Sequence, residues 1–91
     1  MKIGNNVAIA PFCQIYSYSH HYSQYKLSVD NYNNSDVSIE DNVLIGSNVV
    51  ILPGVTIHKG AVIAASSVVN RAVAENSIVG GVPIKIISER K

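Results

Sequence analysis

Charge is scarce in this sequence of ninety-one residues: seven Lys and Arg stand against six Asp and Glu, only 14% of the chain is charged, and the net charge is +1. So even a balance creates no field that would gather nucleic acid, which is excluded as an expected partner. Cysteine is nearly absent. Cys13 alone cannot close an internal disulfide, and the opening Met1-Lys2-Ile3-Gly4-Asn5-Asn6 lacks the charged and continuous apolar blocks of a signal peptide. A cytoplasmic location is expected. Long apolar runs are missing too: 47% of residues are hydrophobic, yet a polar residue or Gly always intervenes well before the ~20 residues that span a bilayer. No membrane partner is expected. Nor does any stretch show the 10- to 15-residue helical pattern that crossovers in an ordinary parallel sheet need. A single domain of this length buries roughly 60 to 65% of the surface its unfolded chain exposes, so stability shared with partner subunits is expected.

What is present is a period of six. Branched aliphatics stand at Ile3, Ile9 and Ile15, and after an interruption at Ile39, Ile45, Ile51, Ile57, Ile63 and Val69, all in one phase. Four residues after each comes a second small or medium site: Val7, Cys13, Ser19, Val43, Val49, Val55, Ala61, Ser67 and Val73. Asn or Gly often stands three residues after the lead (Asn6, Asn42, Asn48, Gly54, Gly60), where a turn is needed. Six matches neither the helical period nor simple alternation, and Val and Ile favour pleated strands. Short strands joined by regular turns remain. With each hexad as one flat side of a three-sided coil, the lead residues stack inward as an aliphatic column and each coil satisfies the backbone of the next. The expectation is a single all-β domain over residues 1–91, a parallel β-helix with coils at 3–20 and 37–74, an extruded loop at 21–36 and a tail at 75–91. A binding or ice-active solenoid would share the period, but such surfaces usually carry ranked Thr rows, and this chain has none.

The interruption is polar and rich in Asn and Tyr. All five tyrosines of the chain fall between Tyr16 and Tyr32, and a long excursion from a rigid solenoid is more often functional than accidental. Hydroxyl-bearing rings suit a sugar or nucleotide face, although any one ring could equally pin the loop to the barrel. Two histidines, His20 and His21, stand where the third hexad gives way to this loop. A neutral imidazole is a suitable general base near pH 7, able to take a proton from a hydroxyl or amine attacking a thioester. A His pair in a polar loop is, however, more often merely solvated.

The stretch Ile9-Ala10-Pro11-Phe12-Cys13-Gln14-Ile15-Tyr16-Ser17-Tyr18-Ser19-His20 resembles the segment of the maltose, galactoside and capsular-sugar O-acetyltransferases that ends in their catalytic histidine. Residues 37–46, Pro53-Gly54-Val55-Thr56-Ile57 and Gly80-Gly81-Val82-Pro83 are similar to that family's C-terminal coils. The resemblance implies a left-handed sense for the β-helix, against the right-handed crossovers found in about 98% of cases. It implies acetyl-CoA as acyl donor, a small sugar-like acceptor, and a homotrimer whose donor groove lies between two subunits. His20 would be the base and His21 a lesser neighbour; Ser47 would line the pantetheine groove and Ala65 would contact the pantetheine through its backbone. Asn70, Arg71 and Lys85 would approach the adenosine and phosphates, where cations suit the charge, although solvated surface charge is the plainer account of such side chains. Two family features are replaced, Trp by Leu44 and a second basic residue by Ser88, which puts CoA affinity in doubt. The family's acceptor-binding residues lie upstream of its hexads, and this sequence opens inside a coil, so the acceptor half of the site is expected to be missing.

Two other functions share the architecture. One is a zinc hydratase resembling the γ-type carbonic anhydrases, but only His20, His21 and His58 are available, and adjacent histidines cannot easily ligate one ion. No metal site is therefore expected. The other is a non-catalytic trimer. A covalent route through Cys13 is disfavoured because the thiol occupies an inward site, where it acts as a small hydrophobe. The first coil leaves an open triangular end, so a cover is a further expectation, either another trimer stacked end to end or residues absent from this sequence.

Overall fold

The computed structural model describes residues 1–16, 18–20, 32–34 and 36–90, the two tripeptides through their backbone alone. Each hexad contributes a two-residue strand and a tight corner. The first coil holds β1 (Lys2–Ile3), β2 (Ala8–Ile9) and β3 (Gln14–Ile15). An antiparallel ribbon of β4 (Tyr18–His20) and β5 (Tyr32–Asn34) then leaves the helix. The second coil is β6 (Ser38–Ile39), β7 (Leu44–Ile45) and β8 (Val50–Ile51); the third is β9 (Thr56–Ile57), β10 (Val62–Ile63) and β11 (Val68–Val69). Strand β12 (Ser77–Gly80) lies on the coils in parallel, and β13 (Lys85–Glu89) turns back antiparallel to it.

Three parallel sheets result, one per side of a prism. The first face is β1-β6-β9, the second β2-β7-β10-β12 closed by β13, and the third β3-β8-β11. Backbone N–H groups of one coil donate to carbonyls of the next along the axis, as in Lys2 N to Val37 O at 3.0 Å and Ser38 N to Val55 O at 3.0 Å. Strands inside the stack are therefore satisfied by the coils on either side, which is why segments this short persist.

The register explains why one phase runs through the whole sequence. Consecutive coils pair residues 18 apart, as Ser38 with Thr56 and Leu44 with Val62. Across the interruption the partners are 36 apart, as Lys2 with Ser38 and Gln14 with Val50. The excess, 36 − 18 = 18, is one coil's worth of chain, so the inserted segment leaves the hexad phase unchanged.

At the other end the spacing shortens to 16, with Ile57 opposite Val73 and Ile63 opposite Val79. Two residues are missing from the corner at 70–72. Val73 consequently stands in a lead position facing Ile57, where the spacing expectation made it a second site; it is buried either way. Residues 75–91, expected as a tail, carry β12, whose Ser77 and Val79 continue the buried column, and β13.

The leads Ile39, Ile45, Ile51, Ile57 and Ile63 and the second sites Val43, Val49, Val55, Ala61 and Ser67 are all buried. Each buried Val or Ile contributes about 1.5–3 kcal/mol of transfer free energy. Coil 1 differs because a described coil covers it on one side only: Ile3 is 47% and Ile9 39% exposed, and Val7, Cys13 and Ile15 are half-buried.

The third residue after a lead takes a left-handed backbone at most corners. Asn6, Asn42, Asn48 and Asn76 have φ near +60°, Gly54 and Gly60 +80° and +75°, and Ser66 +60°. Asn and Gly tolerate this region; other side chains bring Cβ against the following carbonyl at about 1–2 kcal/mol. Phe12, with φ +67°, breaks the pattern, and its ring is 81% exposed.

Candidate functional site

The residues singled out from the sequence fall on two edges of the prism, either side of the third face. Ser47 and Ala65 lie on the corner between the second and third faces, one coil apart. The corner stacks directly: Asn48 N donates to Pro11 O at 3.2 Å, and Ser66 N donates to Ser47 O at 2.8 Å. Pro11–Phe12, Ser47–Asn48 and Ala65–Ser66 thus form one column. Ser47 is half-buried, whereas Ala65 is exposed.

Beside this column the second face carries a shallow groove of about 460 Å³. Its lining includes the residues one past each lead, Ala10, Gly46 and Ala64, which follow the paired Ile9, Ile45 and Ile63, together with the larger Leu44 and Val62. Gly46 is required by the backbone approach, because a Cβ there would stand 2.7 Å from Ala65 N. Cys13 packs beneath, its thiol donating to Gly46 O at 3.1 Å. That contact makes the thiol a packing element of the groove floor.

The second edge lies between the third and first faces. Asn70 and Arg71 occupy its shortened corner, both exposed. Arg71 Nη2 donates to Ile84 O at 2.9 Å, which brings the guanidinium beside the start of β13, where exposed Lys85 stands opposite Gly80. Among the described residues neither cation forms an ion pair. Arg71 at the short corner and Lys85 on β13 of the second-face sheet both lie at the coil 3 end of the prism, with donors left for an anion.

His20 ends β4, on the ribbon leaving this same edge at the level of coil 1, its backbone paired with Tyr32. Its imidazole, His21 and most of the loop expected at 21–36 lie outside the described residues. His58 is elsewhere, on the first face, with Nδ1 3.3 Å from Glu40 Oε1, an oxygen that also accepts from Lys59 N at 3.1 Å. Among the described residues no three His, Cys, Asp or Glu side chains cluster as metal ligands.

Two features escaped the sequence reading. Arg90 donates through Nη1 to Asn42 O at 2.8 Å and Gly60 O at 3.3 Å, stapling two coils at the corner between the first and second faces. No periodic signal marks it, since it follows the last repeat. Phe12 could have been noticed, because it fills the third place after a lead, where Asn, Gly or Ser stands at the other left-handed corners.

The architecture is a three-sided parallel β-helix built from hexapeptide repeats, and comparison with known proteins gives its class. Residues 36–71 match the family model described as bacterial transferase hexapeptide (six repeats). A maltose O-acetyltransferase from Clostridium difficile 630 superposes with a TM-score of 0.86 at 38% identity, over 94% of this chain and 46% of that one. A hexapeptide-repeat acetyltransferase from Vibrio cholerae O1 biovar eltor, solved with acetyl coenzyme A, gives 0.89 at 42% identity over 98% and 49%. Over 52 residues the sequence is 64% identical to the 2,3,4,5-tetrahydropyridine-2,6-dicarboxylate N-acetyltransferase of Clostridium botulinum (strain Langeland / NCTC 10281 / Type F), covering 57% of this chain and 22% of that protein. The chain is a left-handed β-helix whose residues 36–71 match the hexapeptide-repeat model, and it is similar to the maltose and galactoside O-acetyltransferases. It spans about half the length of these solved relatives and under a quarter of the curated one.

Proposed function

We propose that the protein is an acetyl-CoA-dependent acyltransferase that modifies a hydroxyl or amine of a small, sugar-like acceptor. One observation carries the reading: the Ser47–Ala65 column borders a groove whose lining beside that column is the small Ala10, Gly46 and Ala64, against which an extended chain can lie. The likeness to a structure solved with acetyl coenzyme A supports the same donor here. O- and N-acetyltransferases both stand among the relatives, so the acceptor atom is left as oxygen or nitrogen.

The division of the site between two edges supports a homotrimer. Ser47 and Ala65 of one copy would face Asn70 and Arg71 of the next, with Lys85 at the same end of the prism and the donor between them. His20, as neutral imidazole, accepts the proton of the acceptor O–H or N–H while that atom attacks the thioester carbonyl. Backbone N–H groups steady the oxyanion, the C–S bond breaks, and the proton passes from the imidazolium to the CoA thiolate. Transfer is direct, with no acyl-enzyme.

Thiol release from acetyl-CoA over a panel of sugar hydroxyl and amine acceptors tests the activity. His20→Ala should lower the rate by roughly 10²- to 10⁴-fold with the assembly and CoA affinity unchanged, and His21→Ala should do far less. Full activity in His20→Ala, or equal loss in the two variants, overturns the assignment. Sedimentation equilibrium at the mass of three chains tests the trimer.

A further inference from the structure

Among the described residues Phe12 is the one bulky residue at a left-handed corner, and it is 81% exposed. Neither backbone preference nor packing in the described chain accounts for it, since Asn, Gly or Ser occupies the equivalent place at Asn6, Asn42, Asn48, Gly54, Gly60, Ser66 and Asn76. A strained, exposed aromatic points to a contact outside the chain's own core.

Its place in the column says which contact. Ala65 belongs to coil 3, Ser47 to coil 2 and Phe12 to coil 1, stacked through Ser66 N to Ser47 O and Asn48 N to Pro11 O. Coils are spaced like neighbouring strands, so Ala65 and Phe12 are about 10 Å apart along the axis. The cations Arg71 and Lys85 lie at the coil 3 end, and the ribbon carrying His20 leaves at coil 1. A donor with its phosphates toward Arg71 and Lys85 runs past Ala65 and then Ser47, and brings its thioester to the level of Phe12. This step rests on the donor reading above.

We propose that Phe12 is a specificity-determining residue, an aromatic wall that meets the acyl group and restricts the donor to a short chain. Acetyl places one methyl beyond the carbonyl, whereas butyryl adds two methylenes that the ring would obstruct. A single methylene in a fitted pocket changes selection by roughly 10- to 200-fold.

The test titrates the purified full chain with CoA, acetyl-CoA and butyryl-CoA, as wild type, Phe12→Gly and Phe12→Asn. Both replacements suit the left-handed corner, so the variants remain folded. Expected is at least tenfold tighter binding of acetyl-CoA than butyryl-CoA by the wild type, falling to less than about threefold in both variants, with free CoA unchanged within about twofold. A wild type that does not discriminate, or a ratio untouched by both substitutions, overturns the proposal. Loss of the assembly by sedimentation with an unaltered ratio overturns it too, and assigns the ring to a subunit contact. If the wild type binds none of the three ligands, the donor reading itself falls, which is distinguishable from a wild type that binds all three without preference.

Discussion

Gly46 and Ala65 touch through backbone across two coils: a Cβ on Gly46 would stand 2.7 Å from Ala65 N and 2.9 Å from its Cα. Both neighbours are main chain and cannot swing aside, so the contact sets how closely the groove floor approaches the Ser47–Ala65 column. Gly46→Ala should destabilise the protein by about 1–3 kcal/mol, read as a lower urea midpoint. It should weaken acetyl-CoA binding as well, because the displaced strand carries Ser47.

Arg71 and Lys85 separate charge from structure. Lys85→Ala should weaken CoA by about 1–3 kcal/mol, an effect that shrinks as salt rises, and leave the melting temperature unchanged. Arg71→Ala should weaken CoA similarly and also cost about 0.5–1.5 kcal/mol of stability, since Nη2 holds Ile84 O. Isothermal titration at two ionic strengths with parallel thermal melts reads both. Unaltered affinity in the double variant would place the nucleotide elsewhere.

Relief of the left-handed strain at Phe12 should show as a gain. Phe12→Asn is expected to stabilise by about 1 kcal/mol, because the ring is 81% exposed and little burial is lost. Chemical denaturation measures it. A loss of stability would mean that the ring is covered in the assembled protein.

The column is unequal along its length. Ile51→Ala, at a fully buried lead, should cost about 2–5 kcal/mol. Ile3→Ala should cost less than about 1.5 kcal/mol if coil 1 is as open in solution as its 47% exposure indicates. A cost at Ile3 equal to that at Ile51 would show that coil 1 is covered in the assembled protein.

The architecture was legible because a β-helix is local in sequence. A lead every six residues and a corner between them specify each side of the prism, and the buried Ile39–Val43 to Ile63–Ser67 pairs follow that period without exception. The sequence alone determined the stacked coils, the inward column and the departure of a loop near His20. Tertiary structure decided the rest. The two-residue shortening at 70–72 could not be read from the period, because Val69 and Val73 fit the hexad spacing equally well with or without it. Only the pairings of Ile57 with Val73 and Ile63 with Val79 reveal the slip, beyond which Arg71 reaches Ile84 O. The antiparallel return of β13, the reach of Arg90 to Asn42 and Gly60, and the strain at Phe12 were likewise decided by the fold. The physical reason is common to them: a repeat encodes what is equivalent in every coil, whereas these features arise where equivalence ends and residues far apart in sequence meet.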